Sequence, residues 1–218
     1  MKLIEQEIKD LKQELLSMFL AVNNQLVKSE QAFLNFDKDI ASEISNSEKR
    51  INALELKIDK DCENILALHS PISIDLRFVL SVFKINHELE RIADIADGIA
   101  AYVNDLTTPF PENAINDVRI TEMFGQCKAM MENVIEAFEN EDTAVARKVF
   151  KQDELLNAIN KEGSSNIIKN YNEKDAKALF FLLSSVRKLE SVGDLTKNIS
   201  EELIFSIESK VVKHKKNK

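Results

Sequence analysis

The sequence predicts an all-α protein made of two tandem three-helix bundles related by an internal repeat. Three observations support this fold class. Structure-breaking residues are scarce, with four Gly and three Pro among 218 residues. Apolar residues recur every three or four positions over long stretches, and two similar acidic motifs lie 100 residues apart. With 44% hydrophobic residues, a chain of this length can bury a sizeable core.

The first repeat is predicted to span residues 1–106 and to contain three long amphipathic helices. Each helix has an apolar stripe at alternating spacings of three and four, which is typical of bundle helices. The stripes are Ile4, Ile8, Leu11, Leu15, Met18, Val22 and Leu26; then Ile40, Ile44, Ile51, Leu54, Ile58, Cys62 and Ile65; then Phe78, Val82, Ile85, Leu89, Ile92, Ala96 and Ile99. Pro71 should end the second helix, and Ser73 or Asp75 is the predicted N-cap of the third.

The second repeat is predicted to span residues 112–209, after a linker at Thr107–Pro111 that contains two prolines. Its helices are expected from Asp117 to Phe138, from Thr143 to about Asn170, and from Glu173 to Ser209. Gly163 should loosen the last turns of the middle helix. The remaining residues, 210–218, form a basic tail that we expect to be disordered.

The two halves also match outside their third helices, in the distance along the chain between an alanine and an acidic residue. Ala41 is followed seven residues later by Glu48, and Ala146 is followed seven residues later by Asp153. This correspondence supports a repeat of about 100 residues.

Composition narrows the class of protein. The net charge of −8 disfavours general nucleic-acid binding. No apolar run approaches the ~20 residues of a membrane span, and the N-terminus lacks the apolar stretch of a signal peptide. Cys62 and Cys127 lie far apart in helical patterns and are expected to be free thiols. We therefore expect a soluble, cytoplasmic protein.

The acidic motifs place Glu90 before Asp94 and Glu190 before Asp194, each pair four residues apart. Side chains at this spacing share one face of a helix, and like charges there repel. Each pair belongs to a stripe displaced by one residue from the apolar stripe. The two stripes contain His87, Glu90, Asp94 and Asp97 in the first half, and Arg187, Glu190, Asp194 and Lys197 in the second.

Two interpretations of these motifs are open. They are either solvated surface charges or metal ligands, since carboxylates from neighbouring helices converge on hard cations such as Mg²⁺, Ca²⁺, Mn²⁺ or oxidised iron. The candidate ligands are Glu90, Asp94, Glu190 and Asp194, followed by Asp97, His87, Glu55 and Asp59. We find no phosphate-binding loop, nucleophile elbow or zinc-protease motif.

Three segments resemble the signature of the PhoU family, the phosphate-transport regulatory proteins of bacteria. They are Pro71-Ile72-Ser73-Ile74-Asp75-Leu76-Arg77, Glu88-Leu89-Glu90-Arg91-Ile92-Ala93-Asp94-Ile95-Ala96-Asp97 and Leu189-Glu190-Ser191-Val192-Gly193-Asp194-Leu195-Thr196-Lys197-Asn198-Ile199. The resemblance covers nearly the whole chain. It implies two three-helix bundles, a dimer or larger assembly, and multinuclear metal sites at the acidic motifs, holding iron or zinc, or Mg²⁺ or Mn²⁺.

The resemblance also implies a regulatory role without catalysis. Such proteins act as negative regulators of the phosphate-starvation response. Their expected partners are the phosphate ABC transporter ATPase and a membrane sensor histidine kinase. Binding to these partners would bring this cytoplasmic protein to the inner membrane. The sequence departs from the family pattern at Ala93, Gly98, Ser191 and Lys197. Lys197 stands at the position of Asp97 and predicts a weaker or differently occupied second site.

Two alternatives from other classes remain at this stage. One is a carboxylate-bridged metalloenzyme on a helical bundle, which is disfavoured because the last predicted helix has Arg187 where the first half has His87. The other is a helical scaffold that binds no metal.

Overall fold

The computed structural model describes the backbone of residues 2–170 and 176–212, and it contains seven helices and no strand within those ranges. The helices are α1 (Lys2–Asn35), α2 (Lys38–His69), α3 (Ser73–Asp105), α4 (Glu112–Asp117), α5 (Ile120–Asn140), α6 (Thr143–Asn170) and α7 (Ala176–Glu208). The predicted all-α class is confirmed. The first repeat consists of α1, α2 and α3, and the long helices of the second are α5, α6 and α7.

The two repeats begin their middle helices with the same cap. The Asp37 carboxylate accepts hydrogen bonds from the amides of Asp39 and Ile40, both at 3.0 Å. Asp142 accepts equivalent bonds from Ala144 at 2.8 Å and Val145 at 3.2 Å. An aspartate in this position satisfies amides that lack partners at a helix start. The caps fix the same register for α2 and α6, and therefore for Glu48 and Asp153.

The repeats share one continuous core because α1 packs on α5 and α3 packs on α7. Aromatic pairs mark both contacts. Phe19 lies 5.3 Å from Phe138 between ring centroids, and Tyr102 stacks on Phe181 at 4.4 Å. Both thiols, Cys62 and Cys127, are buried and free, as predicted.

The start of the second repeat differs from the prediction. The predicted first residue of its first helix, Asp117, instead ends the short helix α4. Arg119 then adopts the left-handed conformation, with φ of 54°, which interrupts the helix before α5 begins at Ile120. Ala114 and Val118 are fully buried, so the extra helix is held by core contacts that periodicity does not reveal.

Other predicted boundaries need correction. Neither Ser73 nor Asp75 caps α3, since its N-cap is Ile72 and no side chain bonds to the free amides there. The backbone of α6 continues as helix beyond Gly163 to Asn170, and Gly163 itself is buried next to Val118. The predicted helix start at Glu173 and tail residues 213–218 lie outside the described residues, and Lys210–Val212 is not helical.

Replacing Gly193 with alanine should destabilise the protein by about 1–3 kcal/mol, the usual cost of overpacking a core. A Cβ atom there would lie 2.5 Å from Leu156 Cδ1 and 3.2 Å from Asp153 Oδ1. The matched control is Gly125→Ala on exposed α5 surface, where a Cβ meets nothing within 4 Å, and which should stabilise by about 0.5–1 kcal/mol. Urea unfolding of both variants measures the difference, and a stabilised Gly193→Ala protein would contradict the close packing of α6 on α7.

Candidate metal site

Side chains from α2 and α3 converge in what we call the first acidic cluster. It contains Glu48, Glu55, His87, Glu90, Asp94 and Asp97. The closest group is Glu55, His87 and Glu90, each of which offers one ligand atom within 4.8 Å of the others. His87 Nδ1 lies 3.9 Å from Glu55 Oε1. The predicted stripe on α3 thus meets acidic residues of α2, as a site for a hard cation requires.

Glu48 occupies the other end of the cluster. Its carboxylate accepts a hydrogen bond of 2.7 Å from Nε2 of the buried Gln25 on α1. Burial, and then the charges of Asp94 and Asp97, raise the pKa of Glu48 to about 7, although the Gln25 bond opposes the shift. Its second oxygen, Oε1, is buried without a hydrogen-bond partner among the described residues. A buried oxygen acceptor without a donor suits a bound cation.

The remaining predicted ligands of the first repeat lie around this core. Ser45 Oγ donates a hydrogen bond of 2.6 Å to Asp97. Asn86 Nδ2 donates to Asp59 at 2.9 Å and to the Glu55 carbonyl at 3.0 Å. Asp59 is therefore held one turn from Glu55, next to the closest group.

The first acidic cluster has little internal neutralisation. Within the described parts of the chain, no lysine or arginine forms a salt bridge with any of four of its acids: Glu48, Glu90, Asp94 and Asp97. Burial first, and then neighbouring carboxylates, raise the pKa of both Glu55 and Glu90. A divalent or trivalent cation would relieve this repulsion. Oxygen ligands with one imidazole fit Mg²⁺, Mn²⁺ or iron.

The second acidic cluster, formed by Asp153 of α6 with Glu190, Asp194 and Lys197 of α7, is different. Lys197 Nζ lies 2.6 Å from Asp153 Oδ2 and 2.8 Å from Asp194 Oδ1. Burial opposes the charged form of Lys197, but hydrogen bonds to these carboxylates outweigh it and raise the lysine pKa. Burial, Asp194 and Asp153 raise the pKa of Glu190. The ammonium group lies between the two aspartates and supplies a cation from the chain itself.

Two acids of these clusters were not among the predicted ligands. Glu48 and Asp153 come from the middle helix of each repeat, far in sequence from the ExxxD motifs. The available signal was their equal spacing after Ala41 and Ala146. Arg187, which stands at the position of His87 one repeat later, is exposed on α7.

The fold and its acidic clusters define a class: an all-helical protein of two duplicated bundles, each carrying carboxylates between its second and third long helices. The sequence profile of the PhoU domain matches twice, at residues 15–103 and 120–203. These matches cover most of the chain and confirm the internal repeat. The chain belongs to the PhoU family.

Named relatives and solved structures agree with this membership. A phosphate-specific transport system accessory protein PhoU homolog of Pseudomonas aeruginosa is 28% identical over 95% of this chain and 86% of its own. The Escherichia coli accessory protein PhoU is 26% identical over the same shares. The crystal structure of PhoU from Pseudomonas aeruginosa superposes with a TM-score of 0.88 and 26% identity, covering 94% of this chain and 99% of that one.

A second crystal structure, of the phosphate transport system regulatory protein PhoU from Streptococcus pneumoniae, covers 96% of this chain and 99% of its own with a TM-score of 0.85 and 26% identity. Among the described helices of the present protein, none is long and apolar enough to cross a membrane.

In a metal chelator, the protein should lose stability as the pH rises from about 4.5 to about 7. The folded state holds a proton on Glu48 that the unfolded chain releases, because burial raises the pKa of Glu48 from 4.5 to about 7, so rising pH favours unfolding. Glu48→Gln should reduce this loss of stability by about 1–2 kcal/mol. The whole pKa shift of Glu48 corresponds to roughly 3 kcal/mol, and we expect less because solvent screens the charge of a partly buried group.

Urea unfolding between pH 4.5 and pH 8 measures this effect. Glu63→Gln, at an exposed position of the same helix, is the control and should keep the pH dependence of the parent. An unchanged slope in Glu48→Gln would contradict the assignment of Glu48 to the cluster.

Proposed function

We propose that this protein is a metal-binding, cytoplasmic regulator of phosphate uptake that holds the phosphate-starvation response off when phosphate is plentiful. The observation that carries the proposal is the first acidic cluster, which joins five carboxylates and one imidazole between α2 and α3 without a basic side chain bound to most of them. Membership of the PhoU family supports the phosphate-related role.

Glu48, Glu55, Glu90 and Asp94 would hold the metal, with His87 and Asp97 at either end. The acids extend over about two turns of α3, which gives room for more than one ion, and iron, zinc, Mg²⁺ or Mn²⁺ are the candidates. Bound metal would supply positive charge that offsets the carboxylates and fastens α2 to α3. The second acidic cluster would stay metal-free because Lys197 already neutralises Asp153 and Asp194.

The proposed partners follow from the names of the relatives. Two are called accessory proteins of a phosphate-specific transport system, and one solved relative is called a regulatory protein of such a system. We propose that this protein acts as a homodimer, without catalysis, between the phosphate ABC transporter ATPase and a membrane sensor histidine kinase. It would reach the inner membrane surface through these partners.

Deletion of the gene in its own host tests the regulatory role. We expect phosphate-uptake genes to be expressed in phosphate-rich medium, and the intact gene to restore repression. A gene carrying Glu90→Ala and Asp94→Ala should fail to restore it, whereas one carrying Glu190→Ala and Asp194→Ala should succeed. Unchanged expression in the deletion strain would refute the regulatory proposal, and full repression by both variants would separate regulation from the metal.

A further inference from the structure

A cavity of about 350 Å³ lies where α1, α3, α7 and the end of α5 meet. Its walls are mainly apolar and come from both repeats. They include Ile8, Phe78, Val82, Phe138, Leu203 and Ile207. None of the lining residues belongs to either acidic cluster, so this cavity is separate from the candidate metal site.

Two polar side chains on the α3 wall of this cavity have unused hydrogen-bond donors. Ser81 is 1% exposed, and its Oγ has no hydrogen-bond partner among the described residues. Arg77 also lines the cavity, and its Nε is buried and without a partner in the same part of the chain. The two residues are four positions apart and therefore lie one above the other on the same helix face. Leaving buried donors without an acceptor destabilises the folded state, and a ligand oxygen would remove that penalty.

The charged residues around the cavity favour an anionic ligand. Lys12 and Glu141 at the rim neutralise each other in a salt bridge of 2.8 Å. Arg77 forms no salt bridge within the described chain, and the remaining acidic lining residue, Asp75, is two positions away on the helix, where side chains do not face each other. A guanidinium group without a carboxylate, beside a hydroxyl donor, fits the planar, two-oxygen geometry of a carboxylate ligand.

We propose that this cavity binds a small amphipathic carboxylate with a saturated chain of about eight to ten carbons. The carboxylate accepts hydrogen bonds from Arg77 and Ser81, and the chain packs among the apolar walls. The cavity volume limits the length of the ligand. A water molecule occupies roughly 30 Å³ in the liquid, so the cavity holds about a dozen groups of that size, such as methylene groups and carboxylate oxygens. Because the walls come from both repeats, the ligand would bind them together.

Calorimetric titration with decanoate, below its micelle concentration and with a chelator present, tests the proposal. We expect one site per chain with a dissociation constant on the order of 10–100 μM. Arg77→Gln should weaken decanoate binding at least ten-fold, whereas Arg187→Gln, at an exposed position of α7, should leave it unchanged. Decanol, which has the same chain without the charge, should bind the parent protein at least ten-fold more weakly than decanoate.

The comparison of decanoate with decanol is made on the parent protein, so it stands even if Arg77→Gln fails to fold. Thermal unfolding should also shift upward with decanoate in the parent and in Arg187→Gln. No binding would overturn the proposal and leave the cavity to water. Equal loss in both arginine variants, or equal affinity for decanol, would overturn it because Arg77 would then not hold a carboxylate.

Discussion

Changing Glu90 and Asp94 together to alanine should lower the affinity for Mn²⁺ or Fe²⁺ by more than ~100-fold. Residues that only orient metal ligands already contribute 10–100-fold to affinity, and this change removes two acids that face Glu48 and Glu55 across the α2–α3 contact. Calorimetric titration and elemental analysis of the purified protein measure affinity and stoichiometry. Helical circular dichroism confirms that the variant is folded.

The control makes the same chemical change in the other repeat. Glu190→Ala with Asp194→Ala removes an equally spaced pair from α7, but Lys197 lies against that cluster, so metal content should stay within a factor of two of the parent. Equal losses in the two double variants would contradict the difference between the clusters. Equal metal content in the parent and the Glu90/Asp94 variant would eliminate the first acidic cluster as the metal site.

Replacing Lys197 with methionine should destabilise the protein by about 2–4 kcal/mol. The side chain of Asp153 is 5% exposed and that of Lys197 is 28% exposed, and removing one partner of a buried ion pair leaves an uncompensated charge that costs about 3–5 kcal/mol. The partial exposure of the lysine places the expected value toward the lower end. Urea unfolding in a chelator at pH 8, where Asp153 is ionised in the unfolded chain, measures it.

A second substitution isolates the cause. Asp153→Asn added to Lys197→Met removes the unpaired charge and should recover stability to within about 1 kcal/mol of the parent. The same substitution can be made in a protein that already carries Glu90→Ala and Asp94→Ala. There, Mn²⁺ should stabilise the variant with Lys197→Met but not the one that keeps Lys197, because removing the ammonium group leaves a position between Asp153 and Asp194 that accepts a cation. If Mn²⁺ raises the stability of both equally, the lysine is not acting in place of a metal.

Much of this fold follows from local sequence signals. The long helices were predictable because apolar residues with a period near 3.6 leave one face that must be buried. The duplication was predictable because the motifs at Glu90 and Glu190 recur in the same apolar context. Helix α4 was not predicted, since it depends on the left-handed turn at Arg119 and on the burial of Ala114 and Val118, and neither leaves a periodic signal.

The site shows the same division. Spacing along one helix predicted that His87, Glu90, Asp94 and Asp97 share an edge of α3, because residues three or four apart lie on one face. Spacing cannot give the rotation of α2 against α3, and that rotation brings Glu48 to Asp94 and Glu55 to His87. The contribution of Gln25 was equally unpredictable, because it depends on the packing of α1 against α2, which brings Gln25 to Glu48, 23 residues away in sequence.

Local sequence patterns are enough to predict a duplicated helical bundle with an acidic pair on the third long helix of each half. Lys197 at the position of Asp97 also predicted a weaker or differently occupied second site, but the contacts that make the pairs differ depend on how the helices pack. In the first half the acids of α2 and α3 meet without a basic partner bound to most of them, and in the second the ammonium group of Lys197 lies between Asp153 and Asp194. The physical reason is that Coulomb interactions depend on distance through space, and distances between helices are set by packing in the core.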